Sequence, residues 1–196
     1  MTERPYHHGN LREALLVGAE RTVRERGVHE LSLRELAREV GVSHGAPRRH
    51  FPDRQALLDA LAEAGFARLR AELQTAVDRE QDFPARLRAT AAAYIRFATR
   101  DPALLELMFA GKHREPSGAL HEAAERAFSV MGKLIEQGQG EGVLAPGEPE
   151  RVGLVLFATI QGLAALVTGG MVSADQLDEL VADAIAHFLR GSRAAR

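Results

Sequence analysis

The chain contains no cysteine and no tryptophan. The missing cysteines exclude disulfides, thiolate zinc sites and a cysteine nucleophile. Aromatic residues make up only 5% of the sequence, so aliphatic side chains must supply most of any core. No stretch alternates apolar and polar residues as a half-buried strand does, and no internal repeat appears. No segment reads as long and apolar enough to cross a bilayer, and Met1–Asn10 lacks the apolar run of a secretory leader. The expected location is the cytoplasm, with no membrane partner. Catalytic signatures are missing too: there is no Gly-x-Ser-x-Gly elbow and no Gly-rich phosphate loop after a strand. Acidic side chains are spread over outer helix faces. His7 and His8 are adjacent, point in different directions and have no third ligand at suitable spacing, so no metal is expected. The chain is read as a non-enzyme without a cofactor.

A strong net charge is also lacking. The 25 Lys and Arg nearly balance the 27 Asp and Glu, for a net of −2 over 196 residues. The distribution is less even. Met1–Arg54 carries 10 basic and 8 acidic residues, a net of +2, which leaves −4 on the remainder. Five of the eight histidines also lie in that first part. This pattern fits a small DNA-binding head, residues 1–53, on a larger body, residues 54–196. An architectural DNA binder would need a stronger basic bias.

What the sequence has in abundance is helical periodicity. The expected fold is all-α, with about nine helices: a three-helix helix-turn-helix unit, then a larger helical domain for ligand binding and dimerisation. Ser32–Phe51, SLRELAREVGVSHGAPRRHF, is the most informative stretch. Ser32 and Glu35 have capping-box spacing. Leu33, Leu36, Ala37 and Val40 share one face. Gly41 ends that helix, where a positive φ is wanted, and Val42 turns back toward the core. Ser43 reads as the N-cap of a second short helix. Pro47 falls in its first turn, where few amides have intrahelical partners, and Pro52 stops it. The exposed side of this second helix carries His44, Gly45, Arg48, Arg49 and His50. A short basic helix on a tight turn suits the major groove, where Arg forks onto guanine or pairs with phosphate. The same pattern also fits an αα-hairpin with a solvated basic face.

The flanking helices follow the same logic. Asn10 and Glu13 open the first, whose inner face is Leu11, Ala14, Leu15, Ala19, Thr22 and Val23; Gly27 ends it. Asp53 caps a long helix from Arg54 to about Glu80, with Leu57, Leu58, Leu61, Phe66, Leu69 and Leu73 inward. Spanning on the order of 35–40 Å, it reads as a rod between head and body. Pro84 opens the next helix, and Asp101-Pro102 caps and starts a short one. Gly111–Gly118 reads as a loop, flanked by His113 and His121. A helix from Ala119 to Gln137 leads into a Gly- and Pro-rich turn. Val152–Val167 is apolar nearly all round, as expected of a helix covered on both sides. Ser173 and Gln176 form a second capping box before the last helix. A monomer of this size has difficulty covering both final helices, so they are expected to pair with their copies in a homodimer. The seam would involve Leu163, Leu166, Leu177, Leu180, Val181, Ala184, Ile185 and Phe188. Candidate pocket residues are Phe97, Met108, Phe109, Phe128, Met131, Phe157 and Gln161. Gln161 stands out, because an amide in an apolar helix needs a partner: a ligand, the dimer seam or a nearby backbone group.

HHGNLREALL, followed by LSLRELAREVGVSHGAPRRHFPDRQALLDAL, resembles the DNA-binding domain of TetR-type transcriptional regulators. The likeness covers the first quarter of the chain closely, and the order of the later helices fits the family. It implies a homodimer on a double-stranded, inverted-repeat operator, each subunit laying Ser43–His50 in the major groove. It implies an unidentified small-molecule effector, bound in the body, that releases the DNA. Ser32 and Arg34 match positions that commonly touch phosphate, and Arg54 matches a basic phosphate-pairing position. Arg48 replaces a usual aromatic residue, adding charge and a fork where a phenol would donate one bond. A subgroup with the same His-His-Gly-Asn-Leu opening usually has Trp and then His-Gly in the penultimate helix; here Phe157 and Gln161-Gly162 stand there. The implied function is a repressor. A non-specific helix-turn-helix binder without an effector is the main alternative, with a helical enzyme or ligand carrier behind it.

Overall fold

The computed structural model describes residues 11–110 and 118–192. The Asn10 cap, the His7-His8 pair, His113 and residues 111–117 of the expected loop lie outside that range. Among the described residues there is no strand. Eight α-helices follow in order: α1 Leu11–Arg26, α2 Leu33–Val40, α3 Arg54–Asp78, α4 Phe83–Arg100, α5 Pro102–Ala110, α6 Gly118–Gly140, α7 Pro149–Thr168 and α8 Leu177–Gly191. The ninth expected helix, over Ser43–His50, is reduced to a single 3-10 turn at Pro47–Arg49.

The chain forms two compact units. One contains the described residues of Met1–Gly65 and Ala103–His121; the other contains Phe66–Pro102 and Glu122–Arg196. In the first unit, Leu15, Ala19, Val23, Leu31, Leu36 and Phe51 are buried together with Leu57, Leu58 and Leu61 at the start of α3. Gly18, also buried, does the work expected of Ala14, which is exposed. A Cβ on Gly18 would sit 3.1 Å from Leu36 Cδ2, so the bare backbone there lets Leu36 approach α1. Gly41 closes α2 with φ 77° in the left-handed region. The Val42 amide donates to the Ala37 carbonyl at 2.9 Å and the Gly41 amide to the Arg38 carbonyl at 3.2 Å. That pair of bonds is a Schellman motif, which satisfies carbonyls a helix end leaves orphaned. Val42 is half-buried. In the same unit, Gly65 of α3 lies against Met108 of α5, where a Cβ would be 2.7 Å from Sδ.

The second unit is organised on α4. Pro84 stands in its first turn, as expected, and Asp82 is its cap: the carboxylate accepts from the Ala85 amide at 2.8 Å. Phe83, Leu87, Ala91, Tyr94, Ile95 and Phe97 are all buried. The Phe83 ring lies on Gly138 of α6, where a Cβ would be 2.3 Å from Cζ. Any side chain at 138 would therefore displace the ring. Gln139 then ties the Gly-rich turn, donating to the Ala145 and Gly147 carbonyls at 3.1 and 3.0 Å.

α7 departs from expectation in two ways. It starts at Pro149, earlier than expected, and its 20 residues meet the length and composition of a bilayer crossing. The span from Val152 leaves out the first turn, Pro149–Arg151. Nor is it covered on both sides within one chain. Leu156, Ile160 and Ala164 are buried, while Leu154 and Val155 are 65% and 58% exposed. The Ser173–Gln176 box is half realised: Gln176 Oε1 accepts from the Ser173 amide at 3.3 Å and its hydroxyl at 2.9 Å. The hydroxyl is thereby spent as a donor, Ala174–Gln176 forms a 3-10 turn, and α8 begins only at Leu177.

Candidate nucleic-acid interface

The segment between α2 and α3 is built from backbone turns. The Ala46 amide donates to the Ser43 carbonyl at 2.9 Å, and the His50 and Phe51 amides converge on the Pro47 carbonyl at 3.0 and 2.9 Å. Pro47 has no N–H to give to Ser43, and Gly45 is a poor helix former, so regular helix is confined to one turn. Ser43 closes the turn through its carbonyl, and Ala46 occupies the cap position of the 3-10 turn. Pro47 is buried and acts as the anchor. Around it, Ser43, His44, Gly45, Arg48, Arg49 and His50 are all exposed. The sequence thus places its basic residues on a surface turn, but without the helix expected to carry them.

Ser32 stands at the N-cap of α2 with extended φ and ψ, yet its side chain makes no cap bond. The expected capping box is therefore absent. Asp53 does cap α3, accepting from the Ala56 amide at 2.8 Å.

The arginines of this unit divide into two groups. Arg21 and Arg26 both pair with Glu39, at 2.9 and 3.2 Å, joining α1 to α2. Arg24 pairs with Glu20 at 2.9 Å. Arg12 lies over the Phe51 ring, 5.4 Å from its centroid. Arg54 Nε donates to the Leu31 carbonyl at 2.9 Å, and its Nη2 donates to the Val28 carbonyl. By contrast, Arg34, Arg48 and Arg49 are exposed and have no protein partner among the described residues. Arg38 shares that state. Its spacing of four from Arg34, the signal the sequence offers for it, puts both on one face of α2.

The pocket residues expected in the body are distributed over both units. Met108 and Phe109 lie on α5 in the first, where Met108 is buried and Phe109 half-buried. Phe97, Phe128, Met131, Phe157 and Gln161 lie in the second. There, Phe66, Phe128, Phe157 and Tyr94 form an edge-to-face series with centroid separations of 6.1, 5.4 and 5.4 Å. Tyr94 Oη donates to Gln161 Oε1 at 2.6 Å. The partner is thus a side chain of the same chain, where the sequence points to a ligand, the dimer seam or a nearby backbone group. One polar atom on a buried face at helical spacing gives no sequence signal of its own. Burial pushes the Tyr94 phenol above its ordinary range, so it remains a neutral donor. Phe97 and Met131 are buried, whereas Phe128, 36% exposed, opens the series to solvent.

Of the residues assigned to the dimer seam, Leu177, Val181 and Ile185 are buried within the single chain. Leu163, Leu166, Leu180, Ala184 and Phe188 remain half-buried. His121 is exposed on the first turn of α6.

Comparison with known proteins agrees with this arrangement. Residues 15–61 match the bacterial regulatory proteins of the tetR family, and residues 87–188 match the tetracyclin repressor-like C-terminal domain. The nucleoid occlusion factor SlmA of Vibrio cholerae serotype O1 is 31% identical over 161 residues, covering 78% of this chain and 81% of SlmA. A structure of a protein of unknown function from Rhodococcus sp. RHA1 is 47% identical, with a TM-score of 0.90 over 97% of this chain and 100% of that one. A tetR-family regulatory protein from Rhodococcus RHA1 shares the fold at a TM-score of 0.72 and 20% identity, over 96% of this chain and 100% of its own. With a helix-turn-helix unit followed by a helical C-terminal domain, the chain belongs to the tetR family of DNA-binding bacterial regulators.

Proposed function

We propose that the protein is a homodimeric repressor that binds an inverted-repeat operator and leaves it when a small molecule enters the body. The observation that carries this reading is the division among the arginines. Arg21, Arg24 and Arg26 are held by carboxylates, while Arg34, Arg38, Arg48 and Arg49 stand exposed without protein partners among the described residues. An unpaired guanidinium fork suits phosphate or a guanine edge. Arg48 and Arg49 would make the principal contacts. Ser32, Arg34, Ser43, His44, Gly45 and His50 would set register, with Arg38 adding a phosphate contact. The functional division falls at residues 53 and 54.

The open face of α7, led by Leu154 and Val155, joins half-buried Leu163, Leu166, Leu180, Ala184 and Phe188 as the proposed dimer seam. An apolar patch of this kind is what a second copy would cover. The Tyr94–Gln161 pair and the Phe128–Phe157 edge are the proposed effector site, suited to an apolar molecule with one hydrogen-bonding group. The effector acts by favouring the released conformation, since equal affinity for both would shift nothing.

Selection of sites from a random duplex pool tests the reading. Recovery of a palindromic site bound about 10³-fold or more above random DNA is expected. Arg49→Ala should weaken that site by about 1–3 kcal/mol with no change in melting temperature. Sedimentation should show a dimer, and a Leu154→Glu, Val155→Glu double variant a monomer. A second reading is favoured by the likeness to SlmA: a DNA-binding nucleoid occlusion factor rather than the regulator of one promoter. Many dispersed sites and no small-molecule release would support it.

A further inference from the structure

The geometry points to Arg54 as a positioning residue that holds the start of α2, in place of a phosphate ligand. Arg54 is the first residue of α3, and the Asp53 carboxylate fixes that turn by accepting from the Ala56 amide. Its guanidinium reaches back to the connection between α1 and α2. Nε donates to the Leu31 carbonyl at 2.9 Å and Nη2 to the Val28 carbonyl. The Leu31 amide also donates to Val28, at 3.2 Å, so the fork straddles one closed turn. Leu31 is buried, and Ser32 beside it is the N-cap whose side chain makes no cap bond. The service a cap residue usually performs, fixing the entry to the helix, thus comes from a residue twenty-two positions downstream of Ser32. α2 carries Arg34 and Arg38, so their placement on DNA depends on this fork. Two carbonyls in fixed positions need a planar, multi-donor group. A lysine ammonium offers charge without the fork.

The DNA arm of the test rests on the operator-binding reading. Wild type, Arg54→Lys and Arg54→Gln are titrated against the selected operator and against random duplex DNA at several salt concentrations. Both variants should lose roughly tenfold on the operator, the scale of a charge-assisted hydrogen bond. Random-DNA affinity and the slope of log K against log salt should stay at wild-type values, while the melting temperature falls by a few degrees at most. A phosphate ligand behaves differently: the Gln variant would weaken both DNAs equally and flatten the slope by about 1, while Lys would restore them. That result overturns the assignment. Parallel losses on both DNAs with a lowered melting temperature would overturn it as well, in favour of general destabilisation. Hydrogen exchange on the free protein decides independently. In Arg54→Gln the Leu36 amide, which donates to the Ser32 carbonyl at 3.0 Å, should exchange faster while amides in the middle of α1 do not change. Unaltered exchange at Leu36 would refute the clamp even if no operator were ever selected. A failed selection alone would count against the operator-binding reading.

Discussion

The two units of the chain solve opposite problems with the same helical alphabet. In the first, Arg48 and Arg49 sit exposed outside the helices, on a turn held by backbone bonds to Pro47, Arg34 and Arg38 stand exposed on α2, and neighbouring arginines are restrained by Glu39, Glu20 and backbone carbonyls. In the second, the polar pair Tyr94–Gln161 sits within helices, surrounded by aromatic edges. One unit holds most of its charges still so that a few stay available. The other carries its ion pairs, Arg100–Glu72 and Arg126–Glu122 among them, on exposed side chains and keeps one neutral hydrogen bond between helices. Placement on a turn leaves side chains exposed; placement between helices shelters them.

Equivalent truncations would break this contrast most forcefully. Leu36 and Leu87 are both buried, one in each unit. Leu36→Ala and Leu87→Ala should each cost about 2–5 kcal/mol. Below the melting transition, only the first should abolish operator binding in a gel shift. If Leu87→Ala abolished it equally, the units would not be separable in function. Gly41→Ala forces a Cβ into φ 77° and should cost about 1–2 kcal/mol by thermal melting. Tyr94→Phe removes the bond to Gln161 and should cost about 1 kcal/mol at neutral pH. Its pH dependence sharpens the assignment. The raised phenol of the folded state contributes stability that is full below the unfolded value, near pH 10, and is lost as pH rises further. The Phe variant should therefore lose less stability than wild type between neutral and strongly alkaline pH, measured by urea titration. The smallest stability effect is expected at Gly45, where a Cβ would meet nothing within 4 Å. Gly45→Ala should stay within about 0.5 kcal/mol of wild type. Any loss of operator affinity in that variant then reports a direct approach to DNA.

The same contrast governs how far the sequence could be read. Gly27, Gly41, Pro47 and Asp53 punctuate the first unit, and each stands where its backbone chemistry requires. Leu57, Leu61, Phe66, Leu69 and Leu73 are buried along α3 as their periodicity indicates. The failures are specific. Ser32–Glu35 has the spacing of a capping box, but Arg54 supplies the fixation from far along the chain, beyond the reach of any local motif. Ser43–His50 reads as helix because its side-chain pattern is helical, yet Pro47 removes a donor that a second turn would need. In the body, apolar residues at helical spacing look alike whether they face core, ligand or a second subunit. Leu177, Val181 and Ile185 belong to the first class and Leu154 to the open face, a distinction that only neighbours in three dimensions make.

The pairing of Gly65 with Met108 has a consequence for synthesis. The first unit draws on α5, whose residues are translated well after α1, α2 and the start of α3. At bacterial elongation rates the ribosome takes roughly 2–8 s to cover that interval. During those seconds the nascent DNA-reading unit lacks the methionine that covers Gly65. A fragment ending near residue 65 would reproduce that unfinished species, with an apolar strip of α3 open to chaperones and to other nascent chains.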